Sequence, residues 1–147
     1  MNVFIIGSAL QTAAMLDNRR LHKQIVECKQ ILSALEGNTK HWRNHPCTIQ
    51  YELHTDWLSL YMKCLDAWHK GELTAAMEAS AKAEILRPNF HNEAFFDQMK
   101  RRLYTKDPQH YEEWAHLGTS EINWYWVEGK MRYYRNGKRY EHKRQTT

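Results

Sequence analysis

The chain has 147 residues, 42% of them hydrophobic and 12% aromatic, with a formal net charge of +4. That length and apolar content support a packed core without metal or disulfide staples, and they exclude an intrinsically disordered chain. No apolar run reaches the length that a transmembrane helix requires.

Taken in chain order, Val3 to Ile6 reads as a short extended segment, followed by a loop or short helix over residues 11–15. The opening residues form too short an apolar run for a signal peptide and carry no basic leader. A first long helix is predicted over 17–35, with Asp17 as its N-cap and Gly37-Asn38 as its stop. Residues 41–46 read as an irregular connection, because Pro46 disfavours helix in the residue before it. A second helix is predicted over 48–70, with Leu53, Trp57, Leu60, Tyr61, Cys64, Leu65 and Trp68 facing inward and Gly71 ending it. Residues 72–86 are Ala-rich and helix-favouring, with Leu73, Met77 and Ile85 as a modest apolar face, and Arg87-Pro88-Asn89 breaks the helix. A fourth helix is predicted over 91–104, with Phe95, Met99 and Leu103 inward, and Asp107-Pro108 starts a short helix through Trp114. After Gly118 the pattern turns aromatic and β-favouring: Trp124 to Val127 and Met131 to Tyr134 flank Glu128-Gly129-Lys130, and Asn136-Gly137 is a turn signal. The expected fold is mainly α: a compact single-domain helical bundle over 1–147 with a small C-terminal aromatic hairpin or irregular segment.

Two compositional features bear on partners and compartment. Cys28, Cys47 and Cys64 are odd in number and lack CxxC spacing, which disfavours both a disulfide framework and a zinc ribbon and points to a reducing, cytoplasmic setting. Residues 130–147 form a basic tail that holds seven Lys/Arg against the single acid Glu141, leaving the rest of the chain at a net −2. Over residues 124–140, Trp124, Tyr125, Trp126, Tyr133, Tyr134 and Tyr140 interleave with Lys130, Arg132, Arg135, Lys138 and Arg139. Aromatic faces alternating with cations suit stacking on bases and tracking of a nucleic-acid backbone; alternation in a hairpin also turns about half of such rings into core.

The stretch from Leu16 to Glu27 carries the most chemistry. Arg20, Lys23, Gln24 and Glu27 recur at helical spacing, so three donors and one carboxylate share a stripe. Leu21, Ile25, Cys28, Leu32 and Leu35 form the apolar stripe beside it. One face is thus held to a core while the other offers a carboxylate among cations, which suits a phosphate-bearing substrate. The bland reading is a solvated Lys23–Glu27 ion pair, which contributes only about 0.3–0.5 kcal/mol. Arg43, Asn44 and His45 suit contact with phosphate or an extruded base, or equally a turn held by Asn44 and Pro46. His41 and His45 stand four apart, but Pro46 argues against a helix there and no thiol or carboxylate completes a set, so no metal is expected. P-loop, nucleophile-elbow, zincin and zinc-deaminase patterns are all missing from the sequence.

Three segments together resemble the pyrimidine-dimer DNA glycosylase family, the phage endonuclease V-like enzymes, and are closer to its bacterial and phage branch. They are Leu16-Asp17 through Gln24 and Glu27 with Gln30-Ile31-Leu32; Trp42-Arg43-Asn44-His45-Pro46; and Arg101-Arg102-Leu103 with Lys106-Asp107-Pro108 and Tyr111, trailed by Trp124-Tyr125-Trp126. The resemblance implies a compact helical enzyme, a DNA glycosylase with AP-lyase activity that acts on double-stranded DNA bearing a damaged or modified pyrimidine. In such enzymes the N-terminal α-amine attacks the sugar C1′ while a glutamate on the first long helix assists. The glutamate falls on Glu27, and the amine on Met1 or, once Met1 is removed, on Asn2. Asn2 is a poor second residue for the usual methionine-removing enzyme, and Lys23 is a further amine. Arg19, Arg20, Lys23, Arg43, Asn44, His45, Arg101, Arg102 and Lys106 are the expected DNA-binding residues. Where the studied members carry a basic residue near the N-terminus this chain has Val3 and Phe4, so lesion specificity does not transfer.

Chemistry accords with these roles. An α-amine is far less basic than a lysine side chain, so a neutral, nucleophilic fraction exists at physiological pH. Loss of a base leaves oxocarbenium-like charge on the sugar, which a carboxylate stabilises before moving protons during ring opening and β-elimination. No cofactor is required, no membrane is involved, and a monomer is expected. The competing expectation is a catalytically inactive DNA-binding or phage anti-defence protein on the same scaffold.

Overall fold

The computed structural model describes residues 1–127, 130–135 and 138–141. Six α-helices precede a three-stranded sheet: α1 Ala9–Met15, α2 Asn18–Leu35, α3 Pro46–Gln50, α4 Thr55–His69, α5 Leu73–Ile85 and α6 Glu93–Lys106. A 3-10 helix, Glu112–Leu117, leads to β1 Asn123–Val127, β2 Lys130–Arg135 and β3 Lys138–Glu141. The protein is mainly α. The strands form an antiparallel meander in the order β1-β2-β3, with Trp124 opposite Tyr133 and Arg132 opposite Glu141. The expected hairpin thus gains a third strand. The Asn136-Gly137 turn lies outside the described residues, as do the side chains of the aromatic and basic residues over 131–141.

α4 is the hub, packing against α1, α2 and α5. Its Trp57, Leu58, Tyr61, Cys64 and Leu65 are buried beneath Leu21, Ile25, Cys28 and Ile31 of α2. α2 begins at its predicted cap: the Asp17 carboxylate accepts the Arg20 N–H at 3.4 Å. It ends before Gly37, whose φ of 81° is the left-handed turn that a glycine adopts without strain. α1 starts two residues earlier than expected, because Ser8 and Gln11 form a capping box. No helix among the described residues is long and apolar enough to cross a membrane.

Three expectations are corrected. The helix over 48–70 is two helices. His45 caps α3 through Nδ1, Pro46 sits at its first position, and the chain breaks at Tyr51–His54, leaving Leu53 87% exposed instead of inward. The α5 face is inverted. Ala76, Ala79, Ser80 and Ala83 are buried against α4 while Leu73, Met77 and Ile85 face solvent, because small side chains let the two helices approach closely. The helix expected from Asp107-Pro108 is a turn followed by the 3-10 helix.

Tyr51, Trp57 and Tyr61 stack in sequence, and Phe90 and Phe95 meet edge to face beside them, forming a buried aromatic cluster with His91, which is 1% exposed. His91 Nε2 lies 2.7 Å from the Tyr51 hydroxyl. Burial first, then the charges of Arg87 and His54, push the His91 pKa from 6.5 down to about 3. The unfolded chain therefore takes up a proton that the folded one refuses. Stability is complete above the unfolded value and falls as pH drops through 6.5 towards 3, by on the order of 3 kcal/mol at pH 4 for a fully buried group. Thermal melts from pH 7 to 4 should show this fall, and His91→Gln should lessen it; an unchanged slope in the variant removes His91 as its cause.

Candidate active site

The site begins with how the chain's first residues are held. Val3, Phe4 and Ile5 are buried and, among the described residues, pair with no strand, so their backbone groups call for other partners. Gln24, on α2 and 2% exposed, provides them: its Oε1 accepts the Phe4 N–H at 2.5 Å and its Nε2 donates to the Asn2 carbonyl at 2.8 Å. Tyr61 donates from α4 to the Phe4 carbonyl. On the other side β1 completes the clamp. Asn2 Nδ2 donates to Asn123 Oδ1 at 2.9 Å, and the Tyr125 hydroxyl donates to the Met1 carbonyl at 2.5 Å. β1 is itself docked on α3, where Gln50 Oε1 accepts the Trp126 N–H at 2.6 Å.

This clamp sets the terminus over Glu27. The Asn2 backbone nitrogen donates to Glu27 Oε2 at 3.3 Å, and Lys23 Nζ stands 3.8 Å from Oε1. The Glu27 side chain is only 13% exposed, while Lys23 is 70% exposed. The carboxylate therefore lies at the floor of a cleft and the lysine at its rim. Met1, Asn2, Arg19, Arg20, Lys23, Arg102 and Lys106 line this cleft with Glu27, Gln24, Phe4 and Asn123, around a volume of about 220 Å³. That is smaller than the roughly 300–1,000 Å³ of a small-molecule pocket and suits a single sugar with its phosphate. Five cations around one acid make it receptive to anions.

The cations are aimed by their own anchors. Arg20 pairs with Asp17 at 3.2 Å and with Asp107 at 3.9 Å, which ties α2 to the end of α6. Burial raises the Asp17 pKa, but the Tyr111 hydroxyl bond and the Arg20 charge outweigh it and hold the carboxyl below its ordinary value. Arg102 Nη1 donates to the Ser120 carbonyl at 3.0 Å, and its buried Nε has no partner among the described residues. Lys106 is lowered from the ordinary lysine value, first by burial of its stem and then by the like charges of Arg102, Arg20 and Lys23, against the opposing pull of Glu27.

The structure brings eight of the expected residues to this cleft: Glu27, Met1, Asn2, Arg19, Arg20, Lys23, Arg102 and Lys106. The other four stand elsewhere. Arg43 lies 3.8 Å from Glu52, Asn44 is exposed on the following turn, and Arg101 turns its Nε to the Leu117 carbonyl at 2.9 Å. His45 Nδ1 accepts the Cys47 N–H at 3.0 Å, and its ring meets the edges of Trp42 and Tyr125. Burial and the nearby α-ammonium charge push its pKa from 6.5 down to about 4, so it is neutral at physiological pH. The spacing argument missed Gln24 as a buried anchor, and it missed Asn123 and Tyr125. All three cysteines are buried and reduced, and burial holds the Cys47 thiol up at about 12 and that of Cys64 at about 11. No cluster of metal-ligating side chains occurs among the described residues.

Fold and site together define a helical protein with a cationic, anion-receptive cleft built around a carboxylate and the start of the chain. Residues 1–70, just under half of the chain, match the family model described as pyrimidine dimer DNA glycosylase, and this segment is similar to that family of DNA glycosylases. The matched segment contains Met1, Asn2, Arg19, Arg20, Lys23 and Glu27, while Arg102, Lys106, Asn123 and Tyr125 lie beyond it. No curated protein and no solved structure matches the chain.

Proposed function

We propose that this protein is a DNA glycosylase with AP-lyase activity that excises a damaged or modified pyrimidine, a pyrimidine dimer by resemblance, from double-stranded DNA. The observation that supports this reading most is the 3.3 Å contact between the Asn2 nitrogen and the Glu27 carboxylate at the floor of a cationic cleft. The C1′ atom of a paired nucleotide is shielded, so the nucleotide leaves the stack, and Arg19, Arg20 and Arg102 take the flanking phosphates. Glu27 stabilises the positive charge that grows on the sugar as the base departs. A terminal amine then adds to C1′. With Met1 removed, this is the Asn2 nitrogen already seated against Glu27; with Met1 present, it is the Met1 amine. The imine acidifies the C2′ hydrogen, Glu27 removes it, and the 3′ phosphate leaves. The protein acts as a single cytoplasmic domain without a cofactor.

Borohydride reduction in the presence of ultraviolet-irradiated duplex DNA tests the reading: a covalent protein–DNA adduct is expected, and neither adduct nor base release would sink it. Binding should also report the five cations of the cleft. The logarithm of affinity for duplex DNA should fall against the logarithm of salt concentration with a slope of about −3 to −5. A flat response would remove the cleft as a DNA interface.

A further inference from the structure

The nitrogen that touches Glu27 is not an amine while Met1 precedes it. It is a peptide nitrogen, with its lone pair delocalised into the carbonyl, and it cannot attack a sugar. The charge of the Met1 α-ammonium is felt at His45 and Cys47, neither of which lines the cleft. Lys106 is placed differently. It is the last residue of α6, is exposed, and lines the same cleft as Glu27. Among the described residues no carboxylate lies within ion-pair distance of it. A lysine crowded by Arg102, Arg20 and Lys23 holds its proton less firmly than a solvated one, the condition under which lysines become nucleophiles.

Resting on the DNA glycosylase reading above, we propose that Lys106 is a second imine-forming amine of this cleft, directed at the sugar C1′ of an abasic site. The neutral Nζ adds to the aldehyde carbon of the opened sugar, the new C–N bond forms, and the carbonyl oxygen leaves as water. Glu27 then takes the C2′ proton, the released electron pair makes the C2′–C3′ double bond, and the C3′–O bond breaks with the phosphate as leaving group. Hydrolysis of the imine returns Lys106, and no oxidant or reductant is consumed. The competing role is that of a phosphate-gripping cation, and Lys106→Arg separates the two, because a guanidinium keeps the charge but forms no imine.

In the test, the full chain, with its first residue fixed by intact mass, is mixed with duplex DNA holding one abasic site and reduced with borohydride. It is then digested, and the DNA-linked peptide is sequenced by mass spectrometry. The expected result is an adduct on Lys106, with trapping by Lys106→Arg reduced at least about tenfold and its duplex affinity held within about threefold. An adduct confined to Met1 or Asn2, or undiminished trapping by Lys106→Arg, overturns the proposal and leaves the glycosylase reading standing. No adduct on any residue, alongside release of base from an irradiated duplex, overturns both this proposal and the lyase step and leaves hydrolytic excision.

Discussion

Glu27→Gln is expected to lower excision and strand cleavage by on the order of 10³-fold while leaving duplex binding intact. The amide keeps an oxygen where Oε2 accepts the Asn2 N–H at 3.3 Å, so the terminus stays in place. What disappears is the one negative charge facing the sugar, together with the only acid among the cleft-lining residues that can take the C2′ proton. The remaining cations lose their internal counter-charge, so affinity for DNA holds or rises. Single-turnover cleavage of a lesion-bearing duplex, paired with a binding titration of the same duplex, checks both halves. Cleavage by Glu27→Gln at the parent rate would take the carboxylate out of the reaction altogether.

The second large effect belongs to Gln24→Leu. The side chain keeps nearly the same volume, but the Phe4 N–H and the Asn2 carbonyl lose their partners. Each buried polar group left unpaired costs about 1–3 kcal/mol, so the variant should lose roughly 2–5 kcal/mol of stability. Activity should fall further than stability explains, by on the order of 10²-fold at a temperature where the variant is fully folded, because the terminus no longer sits over Glu27. Chemical denaturation gives the first quantity and single-turnover kinetics on the folded variant the second. A destabilised variant with full activity would show that Gln24 holds the fold and not the reacting geometry.

Gln24 also marks the boundary of what the sequence made legible. It stood at helical spacing with Arg20, Lys23 and Glu27, and that spacing put it with the polar residues. Its 2% exposure arises from a segment, residues 2–4, that no local pattern identifies as needing donors and acceptors. α2 itself was legible because cap, apolar stripe and glycine stop agree along one stretch of chain. α5 was legible as a helix but not in orientation: with four buried small residues, the closeness of α4 decides the face, and that is a tertiary fact. The break between α3 and α4 was hidden because residues 51–54 carry neither proline nor glycine. Within the site, Glu27 and the α2 cations followed from spacing and resemblance. Arg102 and Lys106 followed from resemblance alone, Tyr125 stood in the resemblance only as part of an aromatic run, and Asn123 came from neither, since the part of both depends on where a strand some 120 positions downstream comes to rest.

That last dependence has a consequence for how the protein comes into being. The residues that meet Glu27 are fastened by Asn123 and the hydroxyl of Tyr125, which leave a ribosome long after the residues they hold. A nascent or prematurely released chain that stops short of β1 retains the carboxylate and the α2 arginines yet leaves its leading end unmoored. The geometry over Glu27 is thereby completed only once β1 has been made and has docked.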